Sequence, residues 1–118
     1  MPRTTVTIHN PHSNADETYS GVRVSDILGP LGVPVGKDLR GEALALAIVA
    51  AGSDGYKVAL SIAEIDPAFH PGEVIVADTL AGKPLPPDIG PFRLVVSEDK
   101  RPARAVRNLV SIELKSIN

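Results

Sequence analysis

The chain has 118 residues, enough to bury a core of its own and fold as one domain, residues 1–118, without staples. It contains no cysteine, which excludes disulfides and protein thiolate chemistry and leaves the compartment open. A formal charge of −2, a pI near 5.9 and only two tyrosines, two phenylalanines and no tryptophan argue against a nucleic-acid binder, which needs a basic face or exposed stacking rings.

The longest uninterrupted apolar run is Ala43 to Ala51, well short of the roughly 20 residues of a membrane span. Met1-Pro2-Arg3 leads directly into a strand pattern with no secretory signal. The chain therefore reads either as a cytoplasmic domain or as a piece cut from an exported precursor.

In chain order, "TTVTIHN" (4–10) alternates, with Val6 and Ile8 on one face, and predicts a strand. "PHSNADETY" (11–19) is polar and rich in turn formers. Ser25 is placed to cap a short helix, Asp26–Leu28, that stops at Gly29-Pro30. "GVPVGKDLRG" (32–41) reads as a loop.

"EALALAIVAAG" favours helix by propensity, yet two apolar runs flank Ser53-Asp54-Gly55, and this favours a hairpin with strands over roughly 45–51 and 56–60. "SIAEIDP" carries a capping-box pattern, Ser61 with Glu64, and predicts a short helix ended by Pro67. "EVIVADTL" (73–80) reads as a buried strand, "AGKPLPPDIGP" (81–91) as irregular, "FRLVVS" (92–97) as a strand and "NLVSIELKSI" (108–117) as the last.

Eleven prolines and ten glycines keep every element short, and the crossover helices of a parallel doubly wound sheet are missing. The fold class expected is α+β: a compact mixed β-sheet domain of short twisted strands with two or three short helices. The expected core is Val6, Ile8, Leu28, Leu46, Ile48, Val58, Leu60, Val74, Val76, Leu94, Val96, Val110 and Ile112, with Gly55 and Gly82 in turns at positive φ.

No nucleophile elbow, phosphate loop or dinucleotide fingerprint occurs, and no acid–base pair stands out as catalytic. His9-x-x-His12, with Asp16 nearby, offers candidate metal ligands, although the spacing matches no closed zinc site and the same residues suit a polar turn. Lys100, Arg101, Arg104 and Arg107 cluster within eight positions. On one face, or converging from a loop, Arg104 and Arg107 suit phosphate or sulfate, since guanidinium forks match those oxyanions. The other reading is a set of solvated charges flanking the last strand.

"YSGVRVSDILGPLGV", "SDGYKVALSIAEIDP", "VIVADTLAGKPLPPDIGPFRLVV" and "ARAVRNLVSIEL" follow in an order that resembles the oxidoreductase molybdopterin-binding domain family, of sulfite-oxidase type, over nearly all of residues 19–114. The resemblance implies a sulfite-oxidase-like mixed fold and a pterin phosphate lying against basic residues. The matching basic positions are Arg104 and Arg107, which it marks as cofactor-binding candidates. It also implies an exported, periplasmic setting.

Catalytic relatives supply a cysteine to molybdenum shortly after an early strand, where this chain has His9-Asn10-Pro11-His12. A neutral amide or imidazole does not replace a soft thiolate without changing the metal chemistry. Three readings stay open. One is a cofactor-poor or cofactor-free, non-catalytic relative that binds a small anionic ligand or a protein partner. Another is a molybdenum-cofactor oxidoreductase with a non-cysteine ligand, His9 and His12 lying near the metal. The third is a purely structural interaction domain.

Overall fold

The computed structural model describes residues 2–34 and 36–116. The domain is mostly β, with one α-helix and five short 3-10 turns among the described residues. The strands are β1 (Thr4–Asn10), β2 (Ala15–Arg23), β3 (Leu46–Gly52), β4 (Lys57–Ser61), β5 (Val74–Leu80), β6 (Lys83–Pro84), β7 (Arg93–Val96) and β8 (Leu109–Ser116), and the helix is α1 (Val24–Leu28). One sheet runs β1-β2-β5-β6 with β7 also paired to β5, and a second runs β4-β3-β8; every pairing is antiparallel. No helix among the described residues is long and apolar enough to cross a membrane.

The first sheet buries both faces of its central strands. Val74 of β5 and Leu94 of β7 enter a core shared with α1 and the second sheet, where Val24, Leu28, Ile48, Leu60, Ile62 and Val106 meet. Ile75, Ala77 and Val95 enter a smaller core on the opposite face with Val6, Tyr19, Leu85 and Ile89. A strand covered on both sides needs no polar phase, which is why "VIVA" and "LVV" read as continuous apolar runs.

The polar stretch after β1 is the main departure from the sequence reading. Residues 15–19 belong to β2, not to a turn, and the turn itself is confined to 11–14. β2 is polar at its start because Ala15, Asp16 and Thr18 are exposed there; its apolar anchor is Tyr19, and its Thr18 hydroxyl meets that of Thr7 across the ladder at 3.0 Å. Pairing with β1 supplies the backbone bonds that local composition does not advertise.

Helix α1 begins at Val24 with Arg23 as its N-cap and no side-chain cap, so Ser25 does not play that part. Burial of Val24 sets the start, and extended Arg23 sends its guanidinium to Glu73 through two bonds of 2.6 and 2.7 Å. The Ser61–Glu64 capping box forms as expected, but on a 3-10 turn, Ile62–Ile65, rather than an α-helix. Gly55 and Gly82 take the expected positive φ, at 88° and 79°.

Within the expected core, Val6, Leu28, Ile48, Leu60, Val74 and Leu94 are buried, and Ile8, Leu46, Val58, Val76, Val96 and Ile112 are packed at its margins. Val110 is the exception, 65% exposed. The β3–β8 register shifts so that Gly52 faces Leu109 while Ala51 faces Ser111. Val110 is the extra residue of a bulge, which turns it outward and puts Leu109 inside. Ile117, expected at the end of β8, lies outside the described residues.

Candidate functional site

A cavity of about 450 Å³ opens where the end of β1, the β3–β4 hairpin and the segment between β7 and β8 approach one another. β1 and its turn contribute His9, Asn10 and His12. Asn10 shapes that turn, its Oδ1 accepting from the backbone N–H of His12 at 2.9 Å and of Ser13 at 3.4 Å, with Asn14 at φ 53° closing the hairpin. The β3–β4 hairpin contributes Asp54 and Tyr56. Asp54 accepts from the Tyr56 N–H at 3.0 Å, and the Tyr56 hydroxyl donates to the Ala103 carbonyl, tying the hairpin to the facing segment.

The other wall carries Arg93, Arg101 and Arg107. Arg93 sits at the start of β7 and is only 8% exposed. Its Nη1 donates to the Tyr19 hydroxyl at 2.7 Å, its Nε to the Ala105 carbonyl at 3.2 Å, and its guanidinium lies 5.5 Å from the Tyr19 ring centre. Burial pushes the Tyr19 hydroxyl above its ordinary pKa, against the pull of Arg93's charge. The neutral Tyr19 hydroxyl then donates to Glu17 at 3.3 Å, a carboxylate that also accepts from Asn10 at 3.4 Å.

Among the described residues no carboxylate bonds Arg93 directly; its nearest compensation is relayed through a neutral phenol. A buried charge left this way is costly unless a counter-charge completes it. Arg101 and Arg107 are exposed and, among the described residues, make no side-chain hydrogen bond or ion pair. Three guanidinium groups thus border one cavity with donors to spare, facing two carboxylates, Glu17 and Asp54, each with one oxygen engaged in the bonds described above.

The structure does not bring Arg104 and Arg107 together. Arg104 points into a second cavity of about 260 Å³, lined also by Glu64, Glu73, Glu98 and Asp99. It holds Asp99 in a fork, Nε–Oδ2 2.9 Å and Nη2–Oδ1 2.7 Å, and reaches Glu64 Oε2 at 3.0 Å. Bonding to Asp99 raises its pKa, with Glu64 adding to the effect and burial opposing it.

His9 and His12 both line the first cavity, but His9 Nδ1 is 3.0 Å from Asp16 Oδ1 across the ladder. Among the described residues no group of three or more His, Cys, Asp or Glu side chains is placed to hold a metal ion. Sequence reasoning missed Arg93 because it sits in the apolar strand "FRLVVS", where one basic residue reads as the solvent face. The only local signal was its place directly before the unbroken apolar run Leu94-Val95-Val96.

The chain is an antiparallel two-sheet domain in which three arginines line one cavity. The oxidoreductase molybdopterin binding domain family matches residues 4–117, and the chain belongs to that family. No curated protein sequence matches it significantly.

The group for which the family is named can be tested against the donors present. Its anionic end fits: Arg93, Arg101 and Arg107 are the donors an oxyanion needs. Its metal end does not find a protein thiolate, since the chain has no cysteine, and the cavity offers imidazole, amide, carboxylate and phenol groups in its place.

Proposed function

We propose that this domain is a binding module for a small anionic ligand bearing a phosphate or similar oxyanion, the anion seated against Arg93, Arg101 and Arg107. The observation that carries this reading is the buried Arg93, bonded among the described residues only to neutral groups, at the edge of a cavity shared by two further arginines that have no side-chain partner among those residues. Arg107 is the member of the expected Arg104–Arg107 pair that faces this cavity. Arg104 shapes the segment that carries Arg101 and Arg107 by anchoring it to Asp99 and Glu64.

Thermal unfolding with inorganic phosphate, sulfate and a simple phosphate monoester tests the proposal. A site filled to about 100 times its dissociation constant stabilises the fold by roughly 2.7 kcal/mol. The expected result is a rise in Tm that Arg101→Ala plus Arg107→Ala abolishes while the unliganded Tm stays near that of the parent, because both side chains are exposed. No shift, or a shift that survives the double substitution, overturns the proposal and favours an interaction domain whose arginines only solvate the surface.

A second reading, a molybdenum-dependent oxidoreductase with non-cysteine ligation, draws on one observation: His9 and His12 line the same cavity as the arginines. Metal analysis of protein made in a host that synthesises the cofactor separates the two. Stoichiometric molybdenum, lost in His9→Ala plus His12→Ala, supports the second reading; its absence beside a loaded control supports the first.

A further inference from the structure

The second sheet ends on β8, whose inner edge pairs with β3 and whose outer edge, among the described residues, pairs with no strand. An open edge presents unpaired backbone donors and acceptors and is a template for another strand. On this strand Leu114 is an apolar side chain left 44% exposed.

The edge charges are specific. Glu113 and Lys115 lie two positions apart on one face, both largely exposed and joined within the chain at 3.2 Å. A strand pairing antiparallel with its own copy around a two-fold axis must centre on a residue, because directly opposed residues share a face. The bulge at Val110 leaves the regular stretch to its C-terminal side, so the centres available there, with a neighbour on each side, are Ile112, Glu113, Leu114 and Lys115. Centring on Ile112 sets Glu113 against Ser111, and centring on Glu113 or on Lys115 sets two like charges against each other. Centring on Leu114 sets Glu113 against Lys115 of the second copy twice over, with the two Leu114 side chains meeting at the axis. Cross-strand pairs of opposite charge stabilise and like charges oppose, so this register alone is complementary.

We infer that the open edge of β8 binds a second copy of this chain, in the register centred on Leu114, to give a continuous six-stranded sheet. This surface is separate from the cationic cavity, and the inference does not rest on the ligand proposed for it.

Sedimentation velocity of the intact chain across the micromolar range tests it. The expected result is a concentration-dependent monomer–dimer equilibrium that weakens with salt. Glu113→Lys alone and Lys115→Glu alone each weaken association by about tenfold or more, since each turns two attractive pairs into two repulsive ones. The double reversal restores the parent affinity. A monomer at every concentration overturns the inference, as do a dimer insensitive to the single reversals and a double reversal that fails to recover. Circular dichroism of the variants, whose changed residues are exposed, confirms that a lost dimer is not lost folding.

Discussion

Three arginines within seven positions, Arg101, Arg104 and Arg107, meet two different fates, and the difference lies in their partners. Arg101 and Arg107 are exposed beside the larger cavity, whereas Arg104 is saturated by two carboxylates. Replacing Arg104 with Ala leaves Asp99 and Glu64 without their shared cation and is expected to cost about 1–2 kcal/mol at neutral pH by urea denaturation, with the response to phosphate kept. The pH dependence carries a sign. Burial raises the Glu64 pKa, but the Ser61 N–H and Arg104 outweigh it and hold the group below its usual 4.5. A carboxylate held low in the folded state contributes stability above its unfolded value and loses it as pH falls through the folded one. Parent stability should therefore fall below about pH 4.5 in urea titrations, and the Glu64 share of that fall should shrink in Arg104→Ala. Equal acid sensitivity in the two proteins would show that Arg104 does not hold Glu64.

Bulges and close approaches, rather than propensity, decide how the elements meet. The β2–β5 ladder shifts between Ser20 and Gly21, and a Cβ on Gly21 would lie 1.9 Å from the Val76 carbonyl oxygen and 2.7 Å from the Ala77 Cα. Both are backbone atoms of β5 and cannot swing aside. Gly21→Ala should therefore open the ladder and destabilise the domain by about 3 kcal/mol or more, beyond ordinary overpacking. Gly29, where a Cβ meets nothing within 4 Å and the backbone is right-handed helical, is the control: Gly29→Ala should stay within about 0.5 kcal/mol of the parent or stabilise slightly. Similar stabilities for the two variants would mean that β2 and β5 yield at Gly21. At this scale the alternating and apolar strands were legible, because each carries its own hydrophobic phase. β2 was not, since its polar sequence is a strand only in the company of β1 and β5, and Val110 was misplaced because a bulge reverses the phase without marking the sequence.

For the molecule as a whole, two cores share one sheet, and Leu94 lies wholly inside the larger of them between β5, α1 and the second sheet. Leu94→Ala should cost about 2–5 kcal/mol in chemical denaturation, the spread reflecting how far the surrounding side chains close the void. A smaller loss would mean that the two sheets slide together to fill it. The family and the short elements follow from order, spacing and punctuation, which are local properties that residues carry along the chain, whereas the antiparallel pairing of every strand was seen only in the fold. The cationic cavity was decided by tertiary structure alone: Arg93 is 74 positions from Tyr19, and Tyr56 is 47 from Ala103. Neighbours in sequence such as Arg104 and Arg107 diverge because the 3-10 turn Pro102–Arg104 and its carboxylate anchors send them to different cavities. A charge's direction depends on what the fold packs around it, and no pattern along the chain encodes that.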